Sequence, residues 1–452
     1  VAVALRVAAA RGELWLDEVW SIRLVADVVR TPVDIALRLK HDNNHFLNSL
    51  VAYLVGPDGE SWQYRWPAVV AGSAAVFLAG WAQRRLGRAT ALLATVLVGA
   101  SYLAVHYSSE ARGYAYLMCF MMLAFGALDR AEETGRIGWE VLFTASCVLG
   151  FLAHTLFLTL YLAVQLWTWF PDGKRTDRTA LRRLVVAAIF RTVLPGLFFG
   201  WLYWVNLSRM QIGGGNDQPN FQIVLQTLSL AGGGPFVSPG SYASAALTLT
   251  VSFLAGWHVF RQSPRRGCFY AAVIVVGPAI LLVAAPRNDV YPRYFLGSVL
   301  FLYLLWSEWL GSIYERFGAR RLWIAALLTA YVLANGVHIW QLIALERGHY
   351  REVIALMDRE TQSDQVNVAL DHPFRHGVLV DYYGDQMKLS KSLQTFPPDS
   401  RTEWLLVHDL HVNFTPPESL TQRNGTEYRL VREYPFAGLS GWDLCVYRRQ
   451  TR

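Results

Sequence analysis

Charge is scarce in this chain. Of its 452 residues, 17% are Asp, Glu, Lys or Arg, against roughly 25% in an ordinary soluble domain, which argues against one large water-soluble globule. Cysteine is scarcer still. Cys119, Cys147 and Cys268 lie in apolar blocks and Cys445 stands alone. Their spacing fits neither a disulfide framework nor a metal knuckle, so they read as packing residues. The chain opens without Met or a charged leader, and no cleavable signal pattern is present. The apolar stretch Val1 to Ala10 is too short to span a bilayer and reads as the remainder of a first helix that starts upstream. Nucleotide-binding glycine patterns are missing as well. Gly213-Gly214-Gly215 and Gly232-Gly233-Gly234-Pro235 read as flexible turns, with a mobile lid as one use. No convincing internal repeat is found.

Apolar residues, by contrast, make up 53% of the chain and come in long blocks, the pattern of a polytopic membrane protein. One span covers 67–81, and others are expected near 89–105, 114–128, 138–153, 155–170, 184–205, 242–260, 268–285, 294–313 and 322–342. With the opening segment, that makes about eleven. His154 marks a hinge between two short helices. Arg84/Arg85/Arg88, Arg130/Arg136, Lys174/Arg175/Arg178/Arg182/Arg183, Arg261/Arg265/Arg266 and Arg316/Arg320/Arg321 fall in alternate connections. That bias assigns them to the cytoplasm and explains the net charge of +7 without nucleic acid. By parity the first loop (12–66), the Glu110 segment, loops 206–241 and 286–293, and the C-terminus face outward. Residues 1–342 are read as the membrane domain. Residues 343–452 are read as an extracytoplasmic α/β domain, with strands at 366–370, 403–408, 428–433 and 442–447 and helices at 350–359 and 374–383. Asn413-Phe414-Thr415 and Asn424-Gly425-Thr426 match the glycosylation acceptor pattern, which often occurs by chance.

The ionisable residues expected on the outer side form a small set. Asp17 and Glu18 are adjacent inside Leu14-Trp15-Leu16-Asp17-Glu18-Val19-Trp20-Ser21, so they point in different directions: one carboxylate toward a site, the other holding it or a cation. A carboxylate in a partly dehydrated rim is a stronger base toward a hydroxyl than one in water. The plainer alternative is a wet interfacial loop. Lys40-His41-Asp42-Asn43-Asn44-His45 is a dense polar cluster. Asp42 and His45 sit one helical turn apart and suit an acceptor or phosphate contact, with a divalent metal left open. Arg65, in Tyr64-Arg65-Trp66-Pro67, stands at the mouth of a membrane helix, either as an interfacial anchor or as a guanidinium for a lipid phosphate. Glu110 and Arg112 lie between apolar helices, where ionisable groups are costly unless paired or functional; an internal ion pair is the alternative. Arg293-Tyr294 offers a second phosphate contact.

Taken in order, Leu16-Asp17-Glu18, Asp42-x-x-His45, Arg65-Trp66-Pro67, Ser108-Ser109-Glu110-Ala111-Arg112-Gly113-Tyr114 and Arg293-Tyr294 resemble the membrane-embedded GT-C glycosyltransferases. The resemblance is to the branch with the protein O-mannosyltransferases, the lipid A aminoarabinose transferase and the rhizobial lipopolysaccharide-core transferases. Many relatives carry His-Pro-Pro where this chain has His45-Phe46-Leu47, and Pro where it has Gly297. The resemblance implies a mainly α, polytopic GT-C fold in the bacterial-type inner or plasma membrane. It implies Asp17 as catalytic base, with Glu18 and Arg65 also important, and a sugar on a polyprenyl phosphate as donor. The expected reaction is transfer of a hexosyl or pentosyl group, with inversion, to a hydroxyl of a glycan, lipid or protein. Arg65, Arg112, Arg293 and Tyr294 are expected at the donor phosphate, and Lys40, Asp42, His45 and Glu110 at the acceptor or in support. The rival readings are a polytopic transporter and a lipid-linked glycan binding or polymerising protein.

Overall fold

A computed structural model describes residues 1–170, 178–213, 218–236, 238–284, 290–316, 318, 321–411, 414–436 and 438–450, with the backbone alone at 178–180. Most of the Gly213–215 triplet, half of loop 286–293 and the acceptor Asn413 fall outside the described residues. The chain is mainly helical and is built as an integral membrane protein. Among the described residues, five helical runs are long and apolar enough to cross a bilayer: Leu181–Arg209, Pro239–Gln262, Pro264–Ala284, Pro292–Arg316 and Arg321–Glu360, the last breaking after its apolar helix Arg321–Leu345. A bent pair brings the number to six, below the eleven spans expected.

Two of the shortfalls have a physical cause. Ser61–Gln83 and Tyr114–Thr134 are long helices outside the five. They pack against each other and line the protein interior, where polar groups such as Arg65 and Asp129 find partners, so they need not be apolar all round. The expected single helix over 89–105 is instead Arg88–Ala100 followed by Tyr102–Ser108, bent by 61°. Ser101 takes an extended backbone at the break, and its hydroxyl accepts the Ala104 N–H at 3.2 Å, the work of an N-cap serine. The hinge at His154 is present, between Ile137–Ala153 and Phe157–Trp169.

The C-terminal part carries a six-stranded sheet: β1 Gln365–Leu370, β2 Ser392–Phe396, β3 Trp404–Asp409, β4 Ser419–Thr421, β5 Glu427–Tyr434 and β6 Asp443–Arg449. Its order is β2-β1-β3-β6-β5-β4. The β1 pairings are parallel and the others antiparallel. The four expected strands and both helices are present; β2 and the three-residue β4 are additions. Helix Pro373–Gln386 packs this layer onto helix Leu16–Val28. There Tyr383 donates to the Leu14 carbonyl at 2.7 Å and the Phe374 ring lies 5.1 Å from Trp20. Glu13 accepts the backbone N–H groups of Tyr350 at 2.6 Å and Arg351 at 2.8 Å, placing a carboxylate at the N-terminus of helix Tyr350–Glu360. The first loop is therefore clamped between membrane helices and sheet.

Candidate active site

Helix Leu16–Val28 starts at Trp15, so Asp17 and Glu18 both fall in its first turn, where acidic side chains are favoured. Adjacent helical residues diverge by about 100°, and these two diverge in function as well. Glu18 points inward and is fully buried. Its carboxylate takes Arg65 at 2.5 and 2.8 Å, the Trp15 N–H at 3.0 Å and the Ala111 N–H at 2.6 Å. The last bond fixes the turn that carries Arg112.

Asp17 points to the rim. Its Oδ2 contacts the Arg112 guanidinium and lies 3.1 Å from Arg293, while Oδ1 accepts no hydrogen bond from any described residue. Arg112 also donates to Asn43 Oδ1 at 2.6 Å and reaches His45 Nε2 at 3.2 Å. Asn43 in turn donates to the Asp17 carbonyl at 3.1 Å, which closes the ring of contacts. Arg293 stands in the short 3-10 turn Pro292–Phe295. Its guanidinium lies over Tyr291 at 4.3 Å and beside Tyr294 at 5.7 Å, and both arginines sit 6.0 Å from the Trp15 ring, within cation–π range. Three segments far apart in sequence, carrying Asp17, Arg112 and Arg293-Tyr294, thus meet at one rim.

Two guanidinia face one carboxylate. The imidazoles of His45 and His154 lie behind them, tilted to each other with ring centroids 4.7 Å apart. Burial, followed by the neighbouring positive charges, pushes both histidines below their ordinary range, so they remain neutral. The cluster carries one surplus positive charge. The Nε of Arg112 and the Nε of Arg293 are buried without a hydrogen-bond partner. A buried, underused guanidinium pair suits an anionic ligand.

Five further expected residues sit away from the rim or behind it. Arg65 is fully buried and saturated by Glu18 and the carbonyls of Ala10, Arg11, Gly12 and Glu13, at 2.7 to 3.2 Å. It stitches the segment before Asp17 to helix Ser61–Gln83 and offers nothing to a phosphate. Glu110 is also buried, 3.0 Å from His106 and 2.5 Å from Ser440, with Arg347 at 3.7 Å. Burial acts to raise its pKa, but these partners hold it down at about 2. It ties the C-terminal layer to the bundle, as an internal ion pair would. Asp42 and His45 share no target, because 42–45 is a turn and the helix begins at Phe46. Asp42 pairs with His41 at 2.6 Å and accepts the Gly213 N–H at 3.3 Å. His45 turns inward, and among the described residues neither belongs to a group of three metal-type ligands. Lys40 is half-buried, and its carbonyl accepts the Gln211 N–H at 3.0 Å.

Asn43, His154, Tyr291 and Arg347 were not expected at the site, although His154 marks a hinge and Asn43 lies in the polar cluster 40–45. A histidine in a break between apolar helices is the signal that could have flagged His154. A cavity of about 410 Å³ opens between helix Leu16–Val28, residues 57–60 and helix Pro373–Gln386. Asp17, Arg112 and Arg293 do not line it, so it is separate from this cluster.

No family model and no curated protein matches the sequence. Among solved structures, the chain is similar to ArnT from Cupriavidus metallidurans in the apo state. The TM-score is 0.55 at 13% identity, over 87% of this chain and 83% of that one. The chain has a GT-C fold. The same ArnT bound to undecaprenyl phosphate gives 0.53 at 13% identity, over 87% of this chain and 84% of that one. A looser likeness, TM-score 0.49 at 11% identity, covers 86% of this chain and 63% of the archaeal oligosaccharyltransferase AglB from Archaeoglobus fulgidus. At these identities the likeness is one of fold. Within the GT-C fold, the Asp17 cluster lies at the end of the bundle covered by the C-terminal sheet. Arg85, Arg265 and Arg266 meet Asp129, Glu132 and Glu308 at the opposite ends of the helices.

Proposed function

We propose that this protein is a membrane glycosyltransferase moving a hexosyl or pentosyl group, with inversion, from a polyprenyl-phosphate donor to an acceptor hydroxyl at the extracytoplasmic face. The observation that carries the reading is the meeting of one rim carboxylate with two partly unsatisfied guanidinia. The acceptor O–H gives its proton to Asp17 Oδ1 while its oxygen bonds to the anomeric carbon. The bond from that carbon to the phosphate oxygen breaks, and the electron pair leaves with the lipid phosphate. Arg112 and Arg293 stabilise that charge, and Tyr294 lines the phosphate end. Without donor, Asp17 Oδ2 occupies the arginines; the incoming phosphate takes its place and releases the base. The undecaprenyl phosphate bound to the similarly folded ArnT is in keeping with a lipid phosphate as ligand. The acceptor is a glycan, lipid or protein hydroxyl.

Donor titration tests this assignment. Lys keeps the charge but loses the planar fork. Arg112→Lys and Arg293→Lys should each weaken donor use roughly tenfold, a loss near 1.4 kcal/mol, with melting temperature little changed. Unchanged apparent affinity and rate in both variants would reject the phosphate site. The face is tested separately. An engineered cysteine at exposed Ser390 should react with a hydrophilic reagent added outside, and one at Ser263, beside Arg265 and Arg266, should not. Labelling at Ser263 alone would invert the orientation and remove the case for a polyprenyl donor. Ser241, also in an expected outer loop, is buried and would report poorly.

A further inference from the structure

Away from the rim, Asp371, His376 and His408 bring three ligand-type atoms within 4.8 Å of one another. Asp371 follows β1, His376 lies in the first turn of helix Pro373–Gln386, and His408 lies in β3. We propose that this trio is a binding site for one divalent transition-metal ion of the zinc class, seated at the corner where the sheet meets the loop that carries Asp17. Two imidazoles and a carboxylate are a preferred donor set for such an ion, and three protein ligands leave a coordination position open.

The contact between His376 and Asp371 carries the inference. Nε2 of the fully buried His376 lies 2.9 Å from Asp371 Oδ1, yet neither atom has a hydrogen-bond partner. They are close without being aligned donor to acceptor. On its other side, His376 Nδ1 lies 2.7 Å from the Tyr350 hydroxyl, which also accepts the Trp442 indole N–H at 3.1 Å. With Nδ1–H donated to Tyr350, the Nε2 lone pair faces a carboxylate oxygen. A cation between them resolves that opposition, and Tyr350 becomes the outer partner that metal-bound histidines ordinarily have.

His408 completes the site and names its competitor. Its Nδ1 is 2.8 Å from Asp371 Oδ2, and its Nε2 is 2.5 Å from Arg375 Nη1. Arg375 can only donate, so the proton sits on Nδ1. Ligation through Nδ1 shifts that proton to Nε2 with no net release, and half-exposed Arg375 then has to turn outward. Loading therefore exchanges a guanidinium contact for a metal bond. The same helix meets Trp20 through Phe374 at 5.1 Å, so the ion would brace the layer resting on helix Leu16–Val28.

The test is cobalt binding to the full-length, tag-free protein in detergent, followed by visible absorption and by metal content after dialysis. Wild type should take up one equivalent and show the absorption of an imidazole-ligated site. His408→Gln and Asp371→Asn should each weaken uptake roughly tenfold or more. His376 is fully buried and its replacement threatens folding, so these half-exposed positions carry the test, with the metal-free melting temperature as the folding control. Arg375→Ala removes the competing charge and should tighten binding roughly tenfold, a gain that a purely structural Asp–His cluster would not show. Absence of saturable uptake by wild type, or uptake undiminished in both His408→Gln and Asp371→Asn, overturns the site.

Discussion

Asp17→Asn is expected to lower turnover at least about a hundredfold, within the range of general-base catalysis, while the protein folds normally and still binds donor. The amide keeps the size of the side chain but cannot take a proton from a hydroxyl. The bond from Asn43 goes to the Asp17 backbone carbonyl and so survives the change. Arg112 and Arg293 lose the one carboxylate that offsets part of their charge without donor. Binding of a polyprenyl phosphate should therefore be retained or tighter, as turnover falls. A structural aspartate predicts the reverse pattern, with lower stability and weaker binding together. Single-turnover assays beside equilibrium binding separate the two. Near wild-type turnover in the variant would sink the assignment of the base.

The largest expected effect on stability is at Arg65. Arg65→Met leaves Glu18 as an uncompensated charge in a site with no exposure on either side chain, and breaking a buried pair from one side costs roughly 3–5 kcal/mol. It also strips the carbonyls of residues 10–13 of their donor. Thermal unfolding in detergent should show a large drop, and Arg65→Lys a smaller one, since an ammonium cannot serve Glu18 and four carbonyls together. A donor-binding Arg65 would give the opposite result: donor affinity would fall and the melting temperature would hold. Stability within about 0.5 kcal/mol of wild type, the range of ordinary surface changes, contradicts the structural role.

Arg65 also marks the limit of what could be read from the sequence. Arg-Trp-Pro at a helix mouth was legible as a special arginine, but its purpose depends on four carbonyls that converge only when the segment before Asp17 folds back. Glu110 is a similar case, because Ser440 and Arg347 lie hundreds of residues away and nothing local announces them. The Asp42–His45 spacing misled for a simpler reason: three residues apart means one face only inside a helix, and the helix starts at Phe46. The convergence of Asp17, Arg112 and Arg293 was legible because alternating loop charge and chain order place those segments at one end of the bundle. The helices over 67–81 and 114–128 were legible as apolar blocks although they face protein and carry polar residues, whereas the bend at Ser101 within 89–105 was not. The C-terminal strands followed from alternation of apolar and polar residues, except β2 and β4, which are short and mostly exposed.

A lipid-phosphate sugar as donor can be tested directly. Purified protein should be incubated with a panel of labelled polyprenyl-phosphate sugars and an envelope extract as acceptor source. Release of polyprenyl phosphate and appearance of label in the acceptor fraction would be followed for wild type and Asp17→Asn. At least one sugar should be transferred by wild type, with matching lipid phosphate released, and the variant should transfer it at about a hundredth of the rate or less. No transfer from any polyprenyl-phosphate sugar, or transfer that Asp17→Asn leaves intact, would contradict the proposed function.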